Sequence, residues 1–334
     1  MLLVWLKFLV CTLIIVFTGT KLSKYGDIIA EKTSLGRALT GLMLLAVITS
    51  LPEVFAGISA VVIVEMPNLA LGDVMGSCMF NLLIIAIMDL LYKDGPLLFR
   101  VSNGHIVSAG CSILLLGVTT ASILLSCHLE MLKIGWIGIY TLIIPVIYFL
   151  SMRSIFYFEK ARRIAFHKEE DEYKGISLKA TCWKFVLSAM VIIGASIWLP
   201  KIGAEIAEIT GLGQSFVGTL FLAATTSLPE LVVSIAALRI GAADMAVGNI
   251  FGSNLFNMVV IAIDDLFYTK GPILADVSQS NILTGLLAIM MSSVIIVSLL
   301  YESKKKSFGI INWDALFVIL FYISGFCLLF LMET

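Results

Sequence analysis

A chain of 334 residues that is 60% hydrophobic and only 13% charged, with a mean hydropathy of +1.04, has too little polar surface to cover a water-soluble globule. Its formal net charge of −1, with no basic belt, gives no footing for a nucleic-acid partner. What remains is an all-α protein that crosses a lipid bilayer many times.

A spanning helix needs about 20 apolar residues. Taken in chain order, such stretches are predicted at 2–19, 38–64, 68–92, 104–127, 132–152, 182–200, 214–238, 244–268, 279–300 and 310–331, ten in all. The least sharply marked gap is 65–67. The first stretch, with Lys7 early and an apolar run after it, has the outline of a signal peptide. No small-residue cleavage site follows it, however, and it has a partner in the second half, so it is read as a span. Basic residues collect in alternate gaps: Lys21, Lys24, Lys32, Arg37, Lys93, Arg100, Arg153, Lys160, Arg162, Arg163, Lys168, Lys174, Lys179, Arg239 and Lys304 to Lys306 on one side, against Lys133, Lys201 and Lys270 on the other. The positive-inside rule then places both termini outside and the polar segment 153–181 in the cytoplasm. That segment contains the Lys168-Glu169-Glu170-Asp171-Glu172 run and is too short for a domain. So short a central loop points to a prokaryotic plasma membrane. Cys11, Cys78, Cys111, Cys127, Cys182 and Cys327 form no paired spacing and read as packing residues, except Cys78, which falls inside a motif that the chain repeats.

The chain repeats itself. Ile48-Thr49-Ser50-Leu51-Pro52-Glu53 returns as Thr225-Thr226-Ser227-Leu228-Pro229-Glu230, and Gly76-Ser77-Cys78-Met79-Phe80-Asn81 returns as Gly252-Ser253-Asn254-Leu255-Phe256-Asn257. The register also carries Lys7-Phe8 onto Lys184-Phe185, Gly26 onto Gly203, Gly41 onto Gly218, and, after a one-residue deletion, Gly72 onto Gly248, Asp89 onto Asp265 and Gly95-Pro96 onto Gly271-Pro272. Each half holds five predicted spans. An odd number makes the second copy enter from the opposite side, so the predicted architecture is two inverted five-helix repeats, 1–152 and 182–334, joined by 153–181, with helices broken near the midplane and one site between the halves. That internal two-fold also predicts that a single chain is the functional unit.

Each copy places a carboxylate within an apolar span, where a charge costs about 2.5 to 3.5 kcal/mol and marks a functional position. Pro52 and Pro229 cannot donate a backbone hydrogen bond, so each is expected to break its helix and free carbonyls near Ile48, Thr49, Thr225 and Thr226. Gly72, Gly76, Gly248 and Gly252 allow close approach of a neighbouring helix, which delivers Ser77 and Asn81, or Ser253 and Asn257, from one helix face. Every donor is oxygen. Such a set suits calcium, sodium or potassium rather than zinc, copper or iron, and calcium takes about 6 to 8 oxygens. One calcium, two monovalent ions or two protons would each neutralise Glu53 and Glu230, which is a physical basis for exchange. The competing structural reading, a clamp between halves, leaves two symmetric buried acids repelling one another.

These motifs, over nearly the whole chain, resemble the alpha-repeats of the calcium/cation antiporter superfamily, most of all its prokaryotic sodium/calcium exchanger branch. The resemblance implies alternating access, with the second, third, seventh and eighth helices forming the site and the first and sixth sliding. It implies calcium-site roles for Glu53 and Glu230 with the carbonyls of Thr49 and Thr226. Sodium-site roles fall on Ser50, Ser77, Ser227, Ser253 and the carbonyls of Ala46 and Ala223, with Asn81 and Asn257 lining the middle. Exchangers of this branch commonly carry an acid at one of the two middle positions, where this chain has Asn twice. Asp73 could supply that charge, but it is expected to lie more than a turn outside Ser77.

Other polar residues are read without a transport role. Asp89, Asp264 and Asp265 are expected at helix ends near Lys93 and Lys270, solvated or ion-paired. His105, His128 and His167 are scattered away from the motifs, and Tyr92, Tyr268 and Trp136 are expected as interfacial anchors. The resulting expectation is a calcium-for-sodium antiporter with no cofactor. Proton/calcium antiport is the nearest alternative, and a cation channel is the alternative from another class. An intramembrane enzyme is disfavoured because no nucleophile with a base partner accompanies the glutamates.

Overall fold

The computed structural model describes residues 2–32, 43, 45–126, 132–163, 175–239, 241–301 and 305–333. Cys127, His128, His167 and the acidic run at 168–172 lie outside them. The helices are α1 (Leu2–Lys32), α2 (Ala46–Thr49), α3 (Leu51–Ser59), α4 (Pro67–Leu91), α5 (Gly104–Ser126), α6 (Tyr140–Arg163), α7 (Leu178–Thr210), α8 (Gln214–Val217), α9 (Ala223–Thr226), α10 (Leu228–Arg239), α11 (Ala243–Phe267), α12 (Ser280–Tyr301) and α13 (Trp313–Glu333). Nine stretches among the described residues are long and apolar enough to cross a membrane. The pair Gln214–Thr226 and Leu228–Arg239, bent by 42°, makes the tenth. A short hairpin of β1 (Lys133–Ile134) and β2 (Ile137–Gly138), absent from the sequence reading, precedes α6.

Both motif prolines break their spans as expected, and in the same way. The junction residues Ser50 and Ser227 have φ/ψ of −86°/10° and −87°/5°. A new helix then starts with proline in its first turn, where the missing N–H costs nothing, and with Glu53 or Glu230 in that same positively polarised turn. A π-helical turn, Gly218–Leu222, leads into the second break, and another, Ala60–Val64, follows α3 at the far end of the first broken span. Of the four carbonyls expected to be freed, those of Ile48 and Thr225 accept junction N–H groups instead.

α4 and α11 form the centre. Their motif stretches are buried on all sides, which a helix apolar all round requires. α1 and α7 run longer than the predicted first and sixth spans and pack along each other, tied by the Lys7–Glu205 ion pair at 2.7 Å. α1 also touches the second break, since a Cβ on Gly19 would lie 2.5 Å from Cγ of Pro229. Close approach of α4 to the second half depends on glycine: a Cβ on Gly72 would fall 2.7 Å from the Ser215 carbonyl and one on Gly76 2.5 Å from that of Thr219.

The reading of the helix-end acids is corrected. Asp89 and Asp265 are buried and cap the turns after α4 and α11, accepting the N–H of Leu97 at 2.7 Å and of Ile273 at 2.6 Å. The repeated Gly-Pro that precedes those two residues makes the turn, and the repeated Asp satisfies it. Asp265 also accepts from Tyr140, Thr141 and the Gly138 N–H. The cation near Asp89 is Lys306, at 3.7 Å, while Lys270 pairs with Glu65. Asp264 is buried with no such cap.

Candidate cation site

Glu53 and Glu230 point inward and are 0% exposed. The junction serines cross over. Ser50 Oγ donates to Glu230 Oε1 at 3.0 Å, and Ser227 Oγ donates to Glu53 Oε1 at 3.2 Å, so each half's serine serves the other half's acid. From the glycine-bearing helices, Ser77 Oγ lies 3.4 Å from Glu53 Oε1 and Ser253 Oγ 3.4 Å from Glu230 Oε1. Thr226 and Thr49 complete the two-fold pattern, at 3.4 Å from Ser77 and 3.5 Å from Ser253. Eight of the predicted residues thus meet at one buried locus built from both halves.

Asn81 and Asn257 sit beside it on the central helices. Asn81 Nδ2 donates to Asn254 Oδ1 at 3.0 Å, Asn254 Nδ2 to the Cys78 carbonyl at 3.2 Å, and Asn257 Nδ2 to Cys78 Sγ at 3.8 Å. Cys78 and Asn254, the mismatched pair of the motif in which one side chain is polar and the other is not, therefore meet each other and hold the two amides in place. With the amide nitrogens used this way, the amide oxygens are left over. Asn81 Oδ1, Asn257 Oδ1, Glu53 Oε2 and Glu230 Oε2 are all buried without a donor. Buried acceptors without a partner cost about 1–3 kcal/mol each, more when charged. No Lys, Arg or His among the described residues pairs with either glutamate. A small cation taking oxygen ligands fits this set, since it satisfies acceptors and charge together.

The carbonyls of Ala46 and Ala223 each already accept two local hydrogen bonds: Ser50 N–H (3.1 Å) and Thr49 Oγ1 (3.3 Å) on the first, Ser227 N–H (3.0 Å) and Thr226 Oγ1 (3.3 Å) on the second. The expectation for Asp73 is corrected. It lies one turn before Ser77, is 0% exposed, and accepts from Thr226 Oγ1 at 2.9 Å, so it adjoins the locus instead of lying outside it. Its counterpart Asn249 approaches Thr49 in the same way at 3.5 Å. Sequence spacing carried this signal, because 73, 77 and 81 fall on one helix face. His105 is bound to Asp244 at 3.1 Å and takes no part in the locus.

A cleft of about 680 Å³ lined by Asn68, Glu205, Glu208, Gln214, Ser215 and Ser278 opens on the end of the molecule that carries Glu65 and Lys270. Its wall at Ser215 abuts Gly72, next to Asp73. Of the two carboxylates at this mouth, Glu205 is paired with Lys7.

Comparison with known proteins agrees with this geometry. The family model described as sodium/calcium exchanger protein matches residues 3–155 and 181–332. The sodium/calcium exchanger MaX1 of Methanosarcina acetivorans is 31% identical over 42% of this chain and 38% of its own length. The inner membrane protein YrbG of Escherichia coli is 27% identical over 78% of each chain. The sodium/potassium/calcium exchanger 3 of Rattus norvegicus is 27% identical over 48% of this chain, which spans only 24% of that relative. Among solved structures, the sodium-calcium exchanger NCX_Mj, soaked with sodium and strontium, superposes with a TM-score of 0.63 at 18% identity over 98% of this chain and 99% of its own, a likeness of fold. The buried oxygen locus thus lies in the matched region of both halves, and the chain belongs to the sodium/calcium exchanger protein family.

Proposed function

We propose that this protein is a secondary antiporter that moves calcium across the membrane against a flow of sodium, by alternating access to the Glu53–Glu230 locus. The observation that carries the reading is the crossed pair Ser50–Glu230 and Ser227–Glu53, with an unpartnered oxygen left on each acid. One calcium neutralises both carboxylates, and two sodium ions do the same, so the locus can trade one for the other without a net buried charge. Glu53 and Glu230 hold calcium with the carbonyls of Thr49 and Thr226. Ser50, Ser77, Ser227 and Ser253 orient the acids and ligate sodium, while Asn81 and Asn257 offer neutral oxygens between the two ions.

In this reading the halves 1–152 and 182–334 are inverted repeats and one chain is the working unit. Both termini lie outside the plasma membrane, and 153–181 lies in the cytoplasm. Because Lys7–Glu205 and Gly19–Pro229 couple α1 to α7 and to the second break, the α1–α7 pair is the element that moves.

Proteoliposomes loaded with the purified protein test the coupling. Isotopic calcium uptake is expected to follow an imposed sodium gradient at clamped pH and to saturate with calcium. Uptake that follows a proton gradient and ignores sodium would replace the coupling ion. Flux that needs no counter-ion would mean a channel.

A further inference from the structure

The two helices that carry the glutamates are covered differently on their backs. α10 buries Val233, Ser234 and Ala237 on the same face as Glu230, as three- and four-residue steps require. Away from its own acid, α3 is closed over by α7: Ser59 is 1% exposed and its Oγ donates to the Ile197 carbonyl at 2.6 Å. The repeat register carries Ser59 onto Ala236, which has no hydroxyl to reach a neighbouring helix and is exposed. A groove of about 490 Å³ is left there, lined by Leu231, Val232, Ile235, Ala236 and Arg239.

The walls of the groove are apolar, and its charge stands at one end. Leu231 to Arg239 rises about 12 Å along α10, and Arg239 is the last residue of the bent pair that makes the span, where the chain leaves the apolar layer. Its side chain is exposed and forms no ion pair or ring contact among the described residues. At that level the first half has Val62 or Ile63, depending on which side of the one-residue deletion is counted, and both are apolar. A neighbouring helix adds charge of the same sign. α1 runs parallel to α9 and α10, meeting them first at Thr12–Thr225 (3.3 Å) and then at Gly19–Pro229, so its exposed Lys21 and Lys24 advance toward the end that Arg239 occupies.

We infer that the back of α10 is a binding site for an anionic phospholipid, with an acyl chain along Leu231 to Ala236 and the head-group phosphate on Arg239. An apolar groove that opens to the bilayer suits a lipid chain, and a guanidinium presents a fork of N–H donors that matches phosphate geometry. A zwitterionic lipid brings the same phosphate together with a cation, which Arg239, Lys21 and Lys24 repel. An anionic lipid brings no such cation, and basic residues at the membrane surface attract it. Bound in this way, the lipid lies directly behind Glu230, on the glutamate-bearing helix whose back the protein leaves open. The inference stands apart from the exchange reading, because it uses neither glutamate.

Native mass spectrometry of the purified full chain in detergent, offered phosphatidylglycerol and phosphatidylcholine with the same acyl chains, tests it. One phosphatidylglycerol per chain is expected, held about 5- to 10-fold more tightly than phosphatidylcholine. Arg239→Gln should remove that preference. Ala236→Trp, which fills the groove and keeps the charge, should lower retention of both lipids. Arg153→Gln, at an exposed arginine on α6, is the control and should behave as the wild type. No preference in the wild type would overturn the inference without any variant having to fold. A preference that survives Arg239→Gln, or that Arg153→Gln removes equally, would belong to general surface charge and overturn it as well. Unchanged retention in an Ala236→Trp protein that gel filtration shows to be folded would do the same.

Discussion

Gly76→Ala puts a methyl group where the two halves meet. The added Cβ would lie 2.5 Å from the Thr219 carbonyl oxygen, 2.6 Å from Thr219 Cα and 2.8 Å from Ala223 Cβ, and the first two are backbone atoms that no rotamer change can move. Restoring an ordinary contact of 3.4 Å requires α4 to retreat by about 0.9 Å from the backbone leading into the second break. The Ser77–Thr226 contact, at 3.4 Å, is at the edge of hydrogen bonding and is lost by such a shift. Overpacking of this kind costs about 1–3 kcal/mol. If that strain is relieved by separating the halves, calcium affinity should fall about 5- to 150-fold, at 1.4 kcal/mol per factor of ten. Equilibrium binding of isotopic calcium to the purified protein reads this directly. Gly110→Ala is the control, because nothing lies within 4 Å of its added Cβ. A Gly76→Ala protein that binds calcium like the wild type would refute the claim that glycine contact between halves sets the site.

Four further outcomes follow. Ser50→Ala and Ser227→Ala each remove one crossed hydrogen bond to a carboxylate, worth about 1.5–3 kcal/mol, so each should weaken calcium binding about 10- to 150-fold, and to a similar degree. Unequal losses would show that the two halves do not share the ion evenly. Asp89→Asn and Asp265→Asn act on the turn caps and should lower thermal stability by about 1–3 kcal/mol while leaving the calcium affinity of the folded fraction unchanged. Scanning calorimetry paired with binding separates the two effects. Asn81→Asp adds an acid to the middle of the locus and should raise the number of sodium ions bound per cycle, read as a steeper sodium dependence of calcium release; an unchanged slope would count against a mid-site role for Asn81. Glu65, outside the spans, titrates below the ordinary glutamate range because Lys270 hydrogen-bonds and attracts its charged form. Its contribution to stability is therefore complete above the unfolded-state value and is lost as pH falls through the lowered folded-state one. Lys270→Met should raise the midpoint of Glu65, seen by carbon NMR of labelled glutamate, and exposure to salt should shrink the difference.

Much of the site was legible because the sequence states it twice. A proline next to a glutamate in an apolar stretch is ambiguous alone, but its recurrence in register with a second recurring motif located Glu53, Glu230, Ser50, Ser227, Ser77 and Ser253. The symmetry that made them visible hid what departs from it. Asp264 has only Met88 as a counterpart, so it read as a helix-end acid, although Gly57 on another helix opens a pocket for it. Asp73 was placed outside the locus by counting turns along α4. Its hydrogen-bond partner there is Thr226, which arrives from the other half. The repeated aspartates Asp89 and Asp265 carried a signal of a different kind: their pairing with a following Gly-Pro is turn chemistry, and periodicity alone does not distinguish a cap from an interfacial charge. The ion pairs Lys7–Glu205 and Lys270–Glu65 join residues about two hundred positions apart and have no local signature.

The central claim is that Glu53 and Glu230, one from each half, share a transported ion. Sodium-gradient-driven uptake of isotopic calcium into proteoliposomes, compared among the wild type, Glu53→Gln and Glu230→Gln with the folded state of each checked by gel filtration, tests it most directly. The expected result is uptake abolished in both variants while both remain folded. Undiminished uptake in either variant would contradict it.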